Sequence, residues 1–162
     1  MNKGIILVSV GIIANPSSGK DIRRLVSQSR VVTNQEKINI LKRIYAGLAA
    51  SGVQNVFLMP DYGRLAVSAA AEFQGSLKFD SLEVFIRNKE ADTIDSVKKM
   101  VDSGVKAIVV LGGDGTSRAA CKYIGDIPIL PVSTGTNNVF PYTVSYTHLR
   151  AHETPEHLVC RL

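Results

Sequence analysis

Residues 107–116 read Ala107-Ile-Val-Val-Leu111-Gly112-Gly113-Asp114-Gly115-Thr116, an unbroken apolar run that stops at a cluster of glycines around one aspartate. A strand apolar nearly throughout has to be covered on both faces, which points to a parallel sheet with crossover helices. Similar runs recur at Ile5 to Ala14, Val53 to Met59, Leu82 to Ile86 and Ile127 to Val132, each short enough for a strand. Between them lie stretches of helical spacing. Ile38, Leu41, Tyr45 and Leu48 share one face, and Ile94, Val97 and Val101 share another. Strands alternate with helices, so the expected class is α/β: a Rossmann-like, open, mostly parallel sheet with helices on both faces. Ligands bind such sheets at the carboxyl ends of the strands. Chemistry is therefore sought in the loops after Ala14, Leu111 and Val132.

The loop after Leu111 carries the sharpest signal. Glycines without a Cβ permit positive φ and let phosphate oxygens approach main-chain amides, and a helix opening at Ser117 would direct its positive end at the same point. Asp-Gly and Gly-Gly are also favoured turn dipeptides, so it is the position after a buried strand that gives the motif meaning. An aspartate inside a phosphate cradle would repel its ligand. Asp114 therefore needs a further role, accepting a proton from an attacking hydroxyl or holding a Mg²⁺ that screens the charge.

The loop after the first strand, Asn15-Pro16-Ser17-Ser18-Gly19-Lys20-Asp21, invites comparison with a P-loop and fails it. The required glycine and hydroxyl positions hold Ala14 and Asp21. What remains is a polar turn whose Asn15 and serines can cap a following helix. The third loop, Ser133-Thr134-Gly135-Thr136-Asn137-Asn138, supplies hydroxyls and amides suited to ribose hydroxyls and an adenine edge, or to a satisfied turn. A first-helix GxGxxG and a GxSxG are both absent, against hydride transfer and serine hydrolysis.

Bulk properties narrow the class further. A chain of 162 residues, 45% hydrophobic and 20% charged, has the composition of one globular domain. Its net charge of +5 is dispersed, which favours an anionic ligand mildly and does not call for nucleic acid. The two cysteines, Cys121 and Cys160, have neither zinc nor redox spacing, and a reducing cytoplasm is expected. The opening MNKGIILVSVGIIA fits a signal peptide or a buried first strand. The strand is preferred, because cleavage near Ala14 would sever it from its own loop. No run is long enough to span a membrane. The last stretch, 144–162, holds all three histidines without an HExxH, so no protein metal motif is expected there. It resembles a tail seen on unrelated reading frames and is read as foreign to the domain at 1–143.

NPSSGKD after the first strand, GGDGT after a central strand and TGTNN after the next together resemble the ATP-NAD kinase family, over roughly residues 5–142. IIANPSSGKDIRRLV and PVSTGTNNVFP are similar to its acetoin catabolism protein X-like branch. The resemblance implies phosphorylation of a nucleotide hydroxyl by ATP with Mg²⁺, most directly NAD to NADP. By it, Asp114 is the general base, Gly112, Gly113 and Gly115 line the phosphates, and Thr116 caps the helix. Asn15 and Ser18 belong to the first phosphate-side loop, and Thr134, Gly135, Thr136, Asn137 and Asn138 to the nucleotide pocket. GGDGT is shared with lipid kinases of the wider superfamily, so a lipid or other small alcohol is the rival acceptor, and an inactive nucleotide-binding fragment the non-enzymatic rival. The family's second, all-β domain is expected to be missing after Thr143. The partner implied is a small-molecule nucleotide, with no nucleic acid and no membrane, and a homo-oligomer is compatible with the intact protein.

Overall fold

A computed structural model describes residues 8–18 and 32–134. The described chain runs β1 (Ser9–Ala14), α1 (Asn34–Ala50), β2 (Asn55–Leu58), α2 (Leu65–Ala70), β3 (Lys78–Ser81), α3 (Glu90–Asp102), β4 (Ala107–Gly112), α4 (Asp114–Cys121) and β5 (Ile129–Ser133). All five strands are parallel, in the order β3-β2-β1-β4-β5. This is the Rossmann-like α/β arrangement expected from the apolar runs.

The alternation of side chains along β1 sorts the two layers. Val10, Ile12 and Ala14 face one way, into a core with Leu41 and Tyr45 of α1 and Leu65, Ala66 and Ala69 of α2. Ile13 faces the other way, joining Ile108 and Val110 of β4 with Val97 and Met100 of α3 and Ala120 of α4. A central strand buried on both faces is apolar nearly throughout, and in β1 only Ser9 at its start is polar. Gly11 lies on the second face, where α3 approaches closest: a Cβ there would sit 2.5 Å from Met100 Sδ and 3.2 Å from Ile108 Cγ1. Met100 is fully buried and has little room to retreat. Gly11→Ala is therefore expected to cost about 1–3 kcal/mol by overpacking, read as a lowered denaturant midpoint with an unchanged m-value.

One expectation needs correction. The third strand is not Leu82 to Ile86 but Lys78–Ser81, which pairs with β2 in the register Lys78↔Asn55 to Ser81↔Leu58. Leu82 to Ile86 follow it in irregular conformation, with Leu82 packed on the second core and Phe85 76% exposed. An edge strand needs less apolar surface than a central one, so the run richer in apolar residues was the misleading signal. The short α2 was not anticipated at all.

The strand order places the site. From β1 the chain winds outward through β2 to β3, crosses back through α3 to β4, and continues outward to β5. The direction therefore reverses between β1 and β4, and the loops leaving these two neighbours diverge around a crevice at their carboxyl ends, the topological switch point. Those loops are Asn15–Ser18 and Gly112–Thr116. No helix among the described residues is long and apolar enough to cross a membrane.

Candidate functional site

The loop after β1 is built on Asn15. Its backbone N–H continues the sheet, donating to Leu111 O at 2.9 Å. Its Oδ1 accepts from Ser17 N at 2.8 Å, closing an Asx turn. Its Nδ2 reaches across the crevice to donate to Thr116 Oγ1 at 2.9 Å. Ser18 Oγ donates to Asn15 O at 2.9 Å and lies 2.6 Å from Thr134 Oγ1. A hydroxyl has one proton to give, so Thr134 is the donor of that pair. Asn15, Ser18, Thr116 and Thr134, drawn from three loops, thus form one hydrogen-bonded unit. Lys37 completes it from below. Fully buried on α1, its Nζ donates to Asn15 O at 3.2 Å, Pro16 O at 3.1 Å and Ser18 O at 2.8 Å.

The glycine loop is organised differently from expectation in two respects. Thr116 does not cap α4. Gly113 is the N-cap, in extended conformation without a side-chain cap bond, and its carbonyl accepts from Thr116 N at 3.0 Å and Ser117 N at 3.1 Å. The Thr116 hydroxyl is instead the acceptor for Asn15. Nor do the motif glycines use positive φ, which among the described glycines occurs only at Gly52, Gly104 and Gly125. What Gly112 provides is close packing, and what Gly115 provides is open space. A Cβ on Gly112 would lie 2.8 Å from Thr116 Cβ and 2.9 Å from its Oγ1, whereas one on Gly115 would meet nothing within 4 Å. Gly112 lets α4 fold back onto β4, and Gly115 leaves open space in the opening turn, where helix amides lack intrahelical acceptors. Gly112 O accepts from Thr134 N at 3.0 Å, tying β5 to the same loop.

Beside this unit is a cavity of about 310 Å³, lined among others by Asn15, Asp61, Lys89, Asp92, Gly115 and Arg118. That volume is at the lower end of what small-molecule sites occupy. Two helices, α3 and α4, open onto it. Asp61, after β2, is nearly buried and receives the Leu65 amide at 3.1 Å on each carboxylate oxygen, holding the start of α2. Burial pushes its carboxyl above the ordinary value, against the pull of the amides of Leu65, Ala66, Gly63 and Arg64. Lys89 and Arg118 also line the cavity, together with the carboxylates of Glu90 and Asp92. Glu90 pairs with Lys122 at 2.8 Å, which with the nearby Arg118 holds its carboxyl below the usual range.

Of the residues anticipated from sequence, Asn15, Gly115 and Thr116 line the cavity. Ser18 and Thr134 lie buried behind it as supports. Asp114, the first residue of α4, is half-buried and is not on the cavity wall. Gly135, Thr136, Asn137 and Asn138 fall outside the described residues, as does the loop from Gly19 to Asp21. Sequence reasoning did not find Lys37, Asp61, Lys89 or Arg118. Asp61 had one available signal, its place in Met59-Pro60-Asp61 directly after a strand at the ligand-binding edge.

Comparison with known proteins adds the family. Residues 10–156 match the ATP-NAD kinase N-terminal domain. The chain is 41% identical over 139 residues to acetoin catabolism protein X of Cupriavidus necator, covering 82% of this chain and 39% of that protein. It is 29% identical over 137 residues to an uncharacterized protein of Archaeoglobus fulgidus, covering 83% of this chain and 36% of that protein. No solved structure matches significantly. The chain thus spans less than two fifths of the length of these curated relatives, 39% and 36%. With its parallel sheet and the glycine loop at the switch point, the chain belongs to the ATP-NAD kinase family, through that family's N-terminal domain.

Proposed function

We propose that this chain forms the nucleotide-binding half of an ATP-dependent kinase that phosphorylates a nucleotide hydroxyl, with NAD the leading acceptor. The observation that carries the reading is the opening of α4: a glycine-lined helix N-terminus at the switch point, tied to the β1 loop through Asn15 and Thr116. Helix N-termini favour phosphate through oriented amides and the helix dipole. Lys89 and Arg118 add cationic lining to the adjoining cavity.

In the proposed reaction the acceptor oxygen attacks the γ-phosphorus in line, the bond to the bridging oxygen of ADP breaks, and the hydroxyl proton passes to the Asp114 carboxylate. Gly113, as N-cap, and Gly115 keep the cradle free of side chains. Asn15 and Thr116 fix its width. Among the described residues no group of three or more His, Cys, Asp or Glu side chains is arranged to hold a metal. Mg²⁺ would be bound in part by the phosphates, with Asp114 as the carboxylate in the cradle, and would screen their charge. Asn137 and Asn138 are assigned by family resemblance to the nucleotide pocket.

The test on this chain is a thermal titration. ATP at about a hundred times its Kd is expected to stabilise the folded state by about 2.7 kcal/mol, or roughly 5–10 °C for a domain of this size. No shift at millimolar ATP would defeat the reading. For the full-length protein, ATP-dependent conversion of NAD to NADP identifies the acceptor, and turnover of a lipid alcohol instead would move it to the wider superfamily.

A further inference from the structure

We infer that Lys37 is a positioning residue that makes the β1 loop selective for phosphate, an inference resting on the nucleotide reading above. Its location is costly on two counts. A lysine ammonium is almost never fully buried unless paired, and Lys37 sits near the N-terminal end of α1, where the helix dipole disfavours a cation. Its three bonds to the carbonyls of Asn15, Pro16 and Ser18 offset that cost.

Those bonds also have a consequence at the site. Asn15, Pro16 and Ser17 line the cavity, and a loop facing an anion has to keep its carbonyl oxygens, the negative ends of its peptide dipoles, off that anion. Lys37, which does not reach the cavity, draws the Asn15 and Pro16 carbonyls to itself. The same grip fixes Asn15, whose side chain holds Thr116, and Ser18, whose hydroxyl meets Thr134. Loss of Lys37 should therefore penalise the charged part of a nucleotide and spare its uncharged part.

The experiment measures Kd for ATP and for adenosine on the full chain, in wild type, Lys37→Met, Lys37→Gln and Lys37→Arg. In Lys37→Met and Lys37→Gln, ATP is expected to weaken by about tenfold or more, adenosine by no more than about twofold, and Lys37→Arg should recover most of the ATP preference. Equal weakening of both ligands, or none of either, leaves Lys37 as a structural lysine and overturns the inference while the nucleotide reading stands. Wild type that binds no ATP overturns both. If neither neutral variant folds, the ¹³Cε resonance of Lys37 in wild type decides. It should shift on addition of tripolyphosphate and not of adenosine, and an unshifted resonance overturns the inference.

Discussion

In the full-length protein, Asp114→Asn is expected to lower kcat by about 10³-fold, near the middle of the range general-base catalysis supplies, while ATP binding is retained. The substitution keeps the size and shape of the side chain and removes its charge and proton affinity. Asp114 opens α4, so the carboxylate also interacts favourably with the helix dipole. Loss of that dipole interaction should cost about 0.3–1 kcal/mol of stability, or about 1–4 °C in Tm. The direction of the affinity change is the diagnostic quantity. A carboxylate in a phosphate cradle repels ATP, so measured without metal, Asp114→Asn should bind ATP as tightly as wild type or more tightly. If instead affinity and kcat fall together, Asp114 organises the loop and is not the proton acceptor. Undiminished turnover removes it from the chemistry altogether.

The features that made this site legible in the sequence were those where one residue type satisfies local and global demands together. Ala107 to Leu111 is apolar because β4 is central and covered on both faces, and the same centrality puts its carboxyl end at the switch point. The strand and the motif are two readings of one position. At the sheet edge the demands separate. In β3 Lys78 and Asp80 form an ion pair at 3.4 Å along a half-exposed strand, and nothing in Lys-Phe-Asp-Ser marks it as sheet. The six residues of α2 are too few to show a period, and their start depends on the carboxylate of Asp61, four positions upstream of Leu65. The glycine motif signalled a special backbone but not which kind. Of the two uses anticipated, positive φ and close approach, none of the motif glycines adopts the first, and Gly112 packs closely against Thr116.

Lys37 shows a different limit. Lys37, Leu41 and Tyr45 stand at intervals of four, the spacing of a single helical face, and all three are buried on α1. The stripe was visible from Ile38 onward. A lysine at its head reads as the point where the helix meets solvent, since long cationic side chains commonly cover apolar surface and snorkel outward. Here the carbonyls that accept its bonds belong to a loop about twenty residues earlier, and only the folded chain brings them to it. The lining of the cavity is dispersed in the same way, over the loops after β1 and β2 and the openings of α3 and α4.

Gly112→Ala should be the most damaging of the alanine substitutions at Gly11, Gly112 and Gly115. The added Cβ would meet the branched Cβ, Oγ1 and Cγ2 of Thr116 at 2.8, 2.9 and 3.1 Å. None of these atoms is the far end of a flexible chain, so relief requires α4 to move away from β4. That movement separates Thr116 Oγ1 from Asn15 Nδ2 and strains the bond from Thr134 N to Gly112 O, so all three loops lose register together. Overpacking costs about 1–3 kcal/mol and the two hydrogen bonds about 1 kcal/mol each. The expected loss is roughly 3–5 kcal/mol, seen as a fall of about 6–20 °C in Tm. The damage should be directional as well. Thr116→Ser keeps the hydroxyl and removes the methyl that the new Cβ would meet at 3.1 Å, so the double variant Gly112→Ala, Thr116→Ser should recover a measurable part of the lost stability and of ATP binding. Gly115→Ala, whose Cβ meets nothing within 4 Å, should leave Tm within about 1 °C or raise it, since alanine is the better helix former. Its side chain nevertheless enters the space assigned to phosphate, and ATP affinity should fall. A Gly112→Ala protein as stable as wild type would show that α4 is free to move from β4, and the close approach would then not define the cradle.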